Sequence, residues 1–151
     1  VYLTTWYGGL FEMKADGEKN RDYWNRIMDV KEAVNKSLED ARNAGTVKGS
    51  MATEVTLYAD AELKALIEGL GDELRFVLLT SDAHVADLAD AGDAADTELT
   101  GLKVAVKASE HAKCGRCWHH REDVGQHAGH ETICGRCVEN VAGDGEVRHY
   151  A

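Results

Sequence analysis

Cys114-Gly-Arg-Cys117 and Cys134-Gly-Arg-Cys137 contain every cysteine of the chain and lie within its last 38 residues. The spacing, C-x2-C-x16-C-x2-C, falls in the range of four-cysteine zinc sites. Two residues between cysteines let both sulfurs of one tight turn reach one ion. Gly115 and Gly135 read as relief for a turn with unusual dihedrals. Four thiolates around Zn²⁺ leave no open coordination position, so the expected site is structural rather than catalytic. Binding of this kind contributes roughly 10–16 kcal/mol near neutral pH, comparable to the whole stability of a domain. The segment needs such help. Residues 108–151 offer little beyond Trp118, Val124, Ile133, Val138, Val141, Val147 and Tyr150 for a core, and stretches of about forty residues with so few apolar groups need a staple.

Other uses of the cysteines can be weighed. A secreted disulfide scaffold would spread its cysteines through the chain. An acidic sequence without a basic-then-apolar leader fits a reducing cytoplasm instead. A dithiol redox motif expects to follow a strand and open a helix, and neither motif reads that way. Haem attachment needs a histidine after the second cysteine, where Trp118 and Val138 stand. A single iron fits the same four-sulfur cage, and spacing does not separate it from zinc. His119, His120, His127 and His130 read as surface or nucleic-acid-contacting groups, because four cysteines already complete the site.

Around the knuckles stand Lys113, Arg116, Arg121, Arg136 and Arg148. Arg116 and Arg136 occupy equivalent places in the two turns and are expected to point outward. Trp118 has two readings: it packs under the metal loop as its one large apolar group, or it stacks on an unpaired base.

Upstream, the pattern changes. The 151 residues carry 17 basic and 27 acidic side chains, a net charge of −10. Residues 1–106 account for −9 of it and residues 107–151 for −1. A broad nucleic-acid-coating surface is thereby excluded, and any such contact must be local. No stretch has the roughly 20 apolar residues of a membrane span. The first residue is Val1, which suggests a piece of something longer, and the absence of Pro excludes Pro-rich linkers.

Residues 1–19, with Tyr2, Trp6, Tyr7 and Phe11, read as an ordered loop. From Arg21 to Ala44 the positions Trp24, Ile27/Met28, Lys31, Val34, Leu38 and Ala41 recur at helical spacing, with Asn20 as N-cap and Gly45 as C′ residue. One stripe on a helix this long needs partners that residues 1–45 cannot supply, as at the end of a helical bundle. Thr53–Ala59 alternates and is β-branched, so it reads as a strand. Asp60 caps a helix through Leu63, Leu66/Ile67, Leu70, Leu74 and Val77/Leu78, broken near Gly69 and Gly71, although 76–79 also fits a buried strand. Residues 83–89 make a weak strand, 91–97 a polar loop, and Leu102–Lys107 a strand with Leu102, Val104 and Val106 inward. The class is α+β: the end of an α-helical bundle, a small mixed junction unit and a four-cysteine zinc ribbon or knuckle module. No P-loop, GxGxxG, GxSxG or HExxH is present.

These residues also carry a resemblance. Lys113-Cys-Gly-Arg-Cys-Trp118, Glu131-Thr-Ile-Cys-Gly-Arg-Cys137 and Asn140-Val-Ala-Gly-Asp-Gly-Glu146 closely resemble the C-terminal zinc end of bacterial isoleucyl-tRNA synthetases. Gly49–Tyr58 and Leu70–Ser81 resemble the segment before that end. Tyr2–Tyr7, with Val34-Asn35-Lys36 and Leu38-Glu39, resembles the last part of the helical anticodon-binding domain. Gly115 departs from the pattern, standing where many relatives have Pro. The resemblance implies three parts: 1–48, the end of the anticodon-binding domain; 49–108, the junction domain; and 109–151, the zinc-binding domain.

It further implies a class I ligase that activates isoleucine with ATP and esterifies it to tRNA(Ile) in the cytoplasm. The HIGH and KMSKS motifs are absent, so no catalytic residue is expected here. The implied partners are the anticodon region of tRNA(Ile) and the upstream domains of the same parent chain. On this reading Cys114, Cys117, Cys134 and Cys137 hold one Zn²⁺, and Lys113, Arg116, Trp118, Arg121, Arg136 and Arg148 are candidates for RNA contact. The rival expectation is a purely structural or protein-docking zinc module.

Overall fold

A computed structural model describes residues 5, 7–9 and 17–150. Most of the loop expected over 1–19, and most of the Tyr2–Tyr7 match, lie outside the described residues.

Helix α1 spans Arg21–Asn43. Asn20 caps it, its side-chain oxygen accepting from the Tyr23 N–H at 3.0 Å. Gly45, at φ +75°, takes the left-handed step that ends it. The buried face is Ile27, Val30, Ala33, Val34 and Leu38: Ile27, Val34 and Leu38 lie on the expected stripe, Val30 and Ala33 are buried in place of Lys31 and Ala41, and Met28 faces outward.

Strand β1 (Thr53–Ala59) buries alternate residues, as its period-2 pattern requires. Asp60 then caps α2 (Ala61–Glu68), accepting from the Leu63 N–H at 2.9 Å. A tight turn at Gly71–Glu73 leads into α3 (Leu74–Leu78), so 74–78 is helical and not a strand. β2 (Asp82–Asp87) lies parallel to β1, completing a β–α–β crossover. Two more strands complete the sheet. β3 (Ala95–Asp96) is a two-residue bridge where only a loop was expected, and β4 (Leu102–Ala108) is antiparallel to β1 along its whole length. The sheet order is β2-β1-β4-β3.

The stripe of α1 is covered within this unit. Sixteen buried apolar residues drawn from α1, β1, α2, α3, β4 and the turns between them form one cluster, with Tyr23, Trp24 and Val106 packed at its margin. One core thus joins α1 to the strands and helices that follow it. Among the described residues no helix is long and apolar enough to cross a membrane.

The tail is built differently. β5 (Ala112–Lys113) and β6 (His120–Arg121) form a short antiparallel hairpin, and α4 (Gly135–Ala142) closes the module. It meets the sheet unit at Ser81, which is fully buried. The Ser81 hydroxyl donates to the Met51 carbonyl and accepts the His120 N–H, each at 2.6 Å. The Ser81 carbonyl accepts from Arg121 at 3.1 Å.

Candidate metal centre

The first Cys-Gly-Arg-Cys is the turn of the β5–β6 hairpin. Cys114 N–H donates to the His119 carbonyl at 2.9 Å, and Trp118 N–H to the Cys114 carbonyl at 3.0 Å. The left-handed residue of this turn is Trp118, at φ +68°, and not Gly115. Gly115 instead sits close to the second knuckle, its N–H donating to the Thr132 carbonyl at 2.8 Å.

The second motif does open a helix, contrary to expectation: Cys134 is the N-cap of α4 and Cys137 lies in its first turn. No strand leads into it, so the redox arrangement is still not formed. Here glycine leaves room for two side chains. A Cβ at Gly135 would lie 2.8 Å from Asp123 Oδ2 and 3.1 Å from the His127 ring. That carboxylate accepts the Gly135 N–H at 2.6 Å and meets His127 Nε2 at 3.1 Å, bracing the start of α4 where a negative group is favoured. Burial opposes ionisation of Asp123, but the Gly135 N–H and His127 together hold its carboxyl below the usual range.

The two turns bring the four sulfurs within 4.8 Å of one another. Cys114 and Cys137 Sγ are 3.7 Å apart, as are Cys117 and Cys134. A disulfide would close to about 2.05 Å. A tetrahedron with Zn–S bonds of about 2.3 Å has edges of about 3.8 Å, which both 3.7 Å separations match. Cys134 N–H points to Cys114 Sγ at 3.3 Å and Arg116 Nη1 to Cys137 Sγ at 3.7 Å, donors that disperse thiolate charge. Burial raises thiol pKa values here, driving Cys134 to about 12 and Cys137 upward. At Cys114 surrounding backbone N–H groups outweigh burial and bring it down to about 6. Four thiolates cannot coexist so close without a cation. The donor set, its geometry and its closure identify one structural zinc site.

The six RNA candidates divide into two groups. Lys113, Arg116 and Trp118 are exposed. Trp118 is 61% exposed with the Lys113 ammonium 5.1 Å from its ring centroid, so it does not pack beneath the metal loop. Arg121, Arg136 and Arg148 are engaged within the protein. Arg121 lies 3.5 Å from Asp82 in addition to its bond to Ser81. Arg136 is half-buried where Arg116 is exposed, and pairs with Glu146 at 2.6 Å, while Arg148 reaches the same carboxylate at 3.1 Å.

His119, a surface group by sequence expectation, is buried against Phe76. Burial, with the positive field of Arg75, Arg136, Arg121 and Arg148, holds it down at about 4, so it is neutral. His127 is half-buried against Asp123. Phe76 and Asp123 carry no signal in the sequence, because nothing in their neighbourhoods marks a partner 43 or 12 residues away.

Comparison with known proteins agrees with this geometry. Residues 113–140 match the family described as a zinc finger found in FPG and IleRS. The whole chain is 60% identical to an isoleucine–tRNA ligase of Pseudomonas paraeruginosa over 152 aligned residues. It is 55% identical to that of Alcanivorax borkumensis and 53% to that of Hahella chejuensis, again over its full length. The chain spans 16% of the length of each of these proteins and matches their C-terminal part.

Proposed function

We propose, for a chain that belongs to the isoleucine–tRNA ligase family and matches its C-terminal part, that it holds the anticodon stem and loop of tRNA(Ile) for the parent enzyme. The parent, a cytoplasmic enzyme, charges that tRNA with isoleucine by consuming ATP, and its upstream domains are the other partner of this portion. Cys114, Cys117, Cys134 and Cys137 ligate the zinc, which folds the tail and performs no chemistry.

The observation that carries the RNA reading is the exposed Trp118 with the Lys113 ammonium over its ring; Arg116, in the same knuckle, is exposed while its Nη1 reaches the Cys137 sulfur. An aromatic face flanked by cations suits an unpaired base and its phosphate. The surrounding chain is acidic, so binding is local and modest.

The test uses the full-length ligase. Lys113→Ala with Arg116→Ala lowers tRNA affinity and reduces the log–log salt slope by about 0.7 for each single-stranded phosphate that is no longer neutralised. Unchanged affinity and slope would favour the second reading, a structural zinc module without RNA contact. That reading draws its support from the three arginines consumed in internal pairs.

A further inference from the structure

Phe76, half-buried on α3, stands at the seam between the sheet unit and the zinc module. Three separate segments of the module converge on its ring. His119 of the first knuckle meets it edge-on, with centroids 5.7 Å apart. Arg136 of α4 brings its guanidinium carbon to 5.0 Å from the ring centroid, and Arg148 of the tail to 3.8 Å. Arg75, from α3 itself, lies at 4.4 Å. Cations at such distances are attracted by the ring's negative face and need no counter-ion for it. Glu146 accepts from both Arg136 and Arg148, tying the two guanidiniums together. Beyond them the N–H groups of His149 and Tyr150 donate to the Glu73 carboxylate, each at 2.6 Å. The Tyr150 ring then receives the Lys19 ammonium at 4.4 Å, beside the start of α1.

We propose that Phe76 is the positioning residue of the zinc module: it fixes the Lys113–Arg116–Trp118 rim relative to the sheet unit. The link is short. Trp118 and His119 are consecutive, one 61% exposed and the other 6%. Seating His119 on Phe76 therefore turns Trp118 outward. The contacts of Ser81 with His120 and Arg121 hold one edge of the module, and Phe76 stops it swinging about that edge. The functional half of this inference rests on the RNA reading above; the anchoring half does not.

The experiment compares Phe76→Ala, Phe76→Leu and Phe76→Tyr in the full-length ligase, reading zinc content, amide exchange and tRNA kinetics. All three keep one zinc per chain. Without the cation–π attraction, exchange in residues 118–121 and 146–150 speeds up by about tenfold in the Ala and Leu variants, while Tyr, which keeps the ring, restores protection. KM for tRNA rises about three- to tenfold in the same two variants, with isoleucine-dependent ATP–pyrophosphate exchange unchanged. If Phe76→Ala loses zinc as well, Phe76→Leu and Arg148→Gln decide, the latter loosening the tail with the ring intact. Wild-type protection of both segments in the Leu variant overturns the anchor. Loosening with an unchanged tRNA KM upholds the anchor and overturns the RNA reading.

Discussion

The sheet unit and the zinc module are similar in being small, and opposite in what holds them. Among α1, β1, α2, α3 and β4, sixteen buried apolar residues interlock. Around the metal cage the cluster consists of Cys114, Cys134 and Cys137, with Cys117, Val124 and Ile133 at its edge. Burying a Leu or Ile side chain contributes about 1.5–3 kcal/mol, so the first unit can outweigh its chain entropy by burial. The second cannot, and four sulfurs on one ion must do it instead. Two neighbouring parts of one chain thus answer to different perturbations.

Removing the metal separates them most strongly. Stripping zinc, or Cys134→Ser, forfeits binding energy of roughly 10 kcal/mol or more. Hydrogen exchange should then show residues 109–150 without protection while α1 and β1 keep theirs. Protection surviving throughout the metal-free tail would abolish the contrast. The converse is Ile67→Ala. Ile67 is fully buried in the sheet unit, and its truncation should cost about 2–5 kcal/mol. Denaturant unfolding followed at α1 should register that loss with zinc stoichiometry intact; loss of zinc in proportion would mean that the two parts share one stability.

That contrast also explains what can be read from the sequence alone. Periodicity reports burial, so the sheet unit is largely legible: Asn20 and Asp60 cap as expected and Thr53–Ala59 is β1 to the residue. The exceptions are places where tertiary packing chooses between neighbours. Ile27 and Val30 face the core while Met28 does not, because α1 lies across both β4 and the α2–α3 corner. The metal site is legible through a different code, ligand spacing. Its surroundings are not. Arg116 and Arg136 stand in identical Cys-Gly-Arg-Cys motifs, yet one lies in a hairpin turn and the other in a helix, so only the second meets Glu146 and Phe76. Identical local sequence cannot carry that difference.

Asp123 sharpens the comparison at intermediate scale. Its carboxylate braces Gly135 beside a ligand cysteine, and outer-shell groups of this kind are worth about 10–100-fold in metal affinity. Asp123→Ala should therefore release zinc to a competing chelator about tenfold faster, leaving the unfolding of α1 unaltered. A wild-type release rate would show that the cage organises itself without help from the loop between its knuckles.

The smallest effect, and the most discriminating, concerns Trp118. A non-glycine residue at φ +68° carries strain of about 1–2 kcal/mol, and a ring 61% exposed recovers little of it by burial. Inside the module the Lys113 ammonium, 5.1 Å from the ring centroid, offsets only part of the cost of that conformation, which a glycine would adopt freely. Trp118→Gly should accordingly stabilise the zinc-loaded module by about 1 kcal/mol, measured as slower metal loss on heating. If the aromatic face is there for an unpaired base, the same substitution lowers tRNA affinity by about 1–3 kcal/mol. Opposite signs in the two measurements mean that strain is retained for binding. A gain in stability with unchanged tRNA affinity would place Trp118 outside the RNA interface and leave its strain without a function.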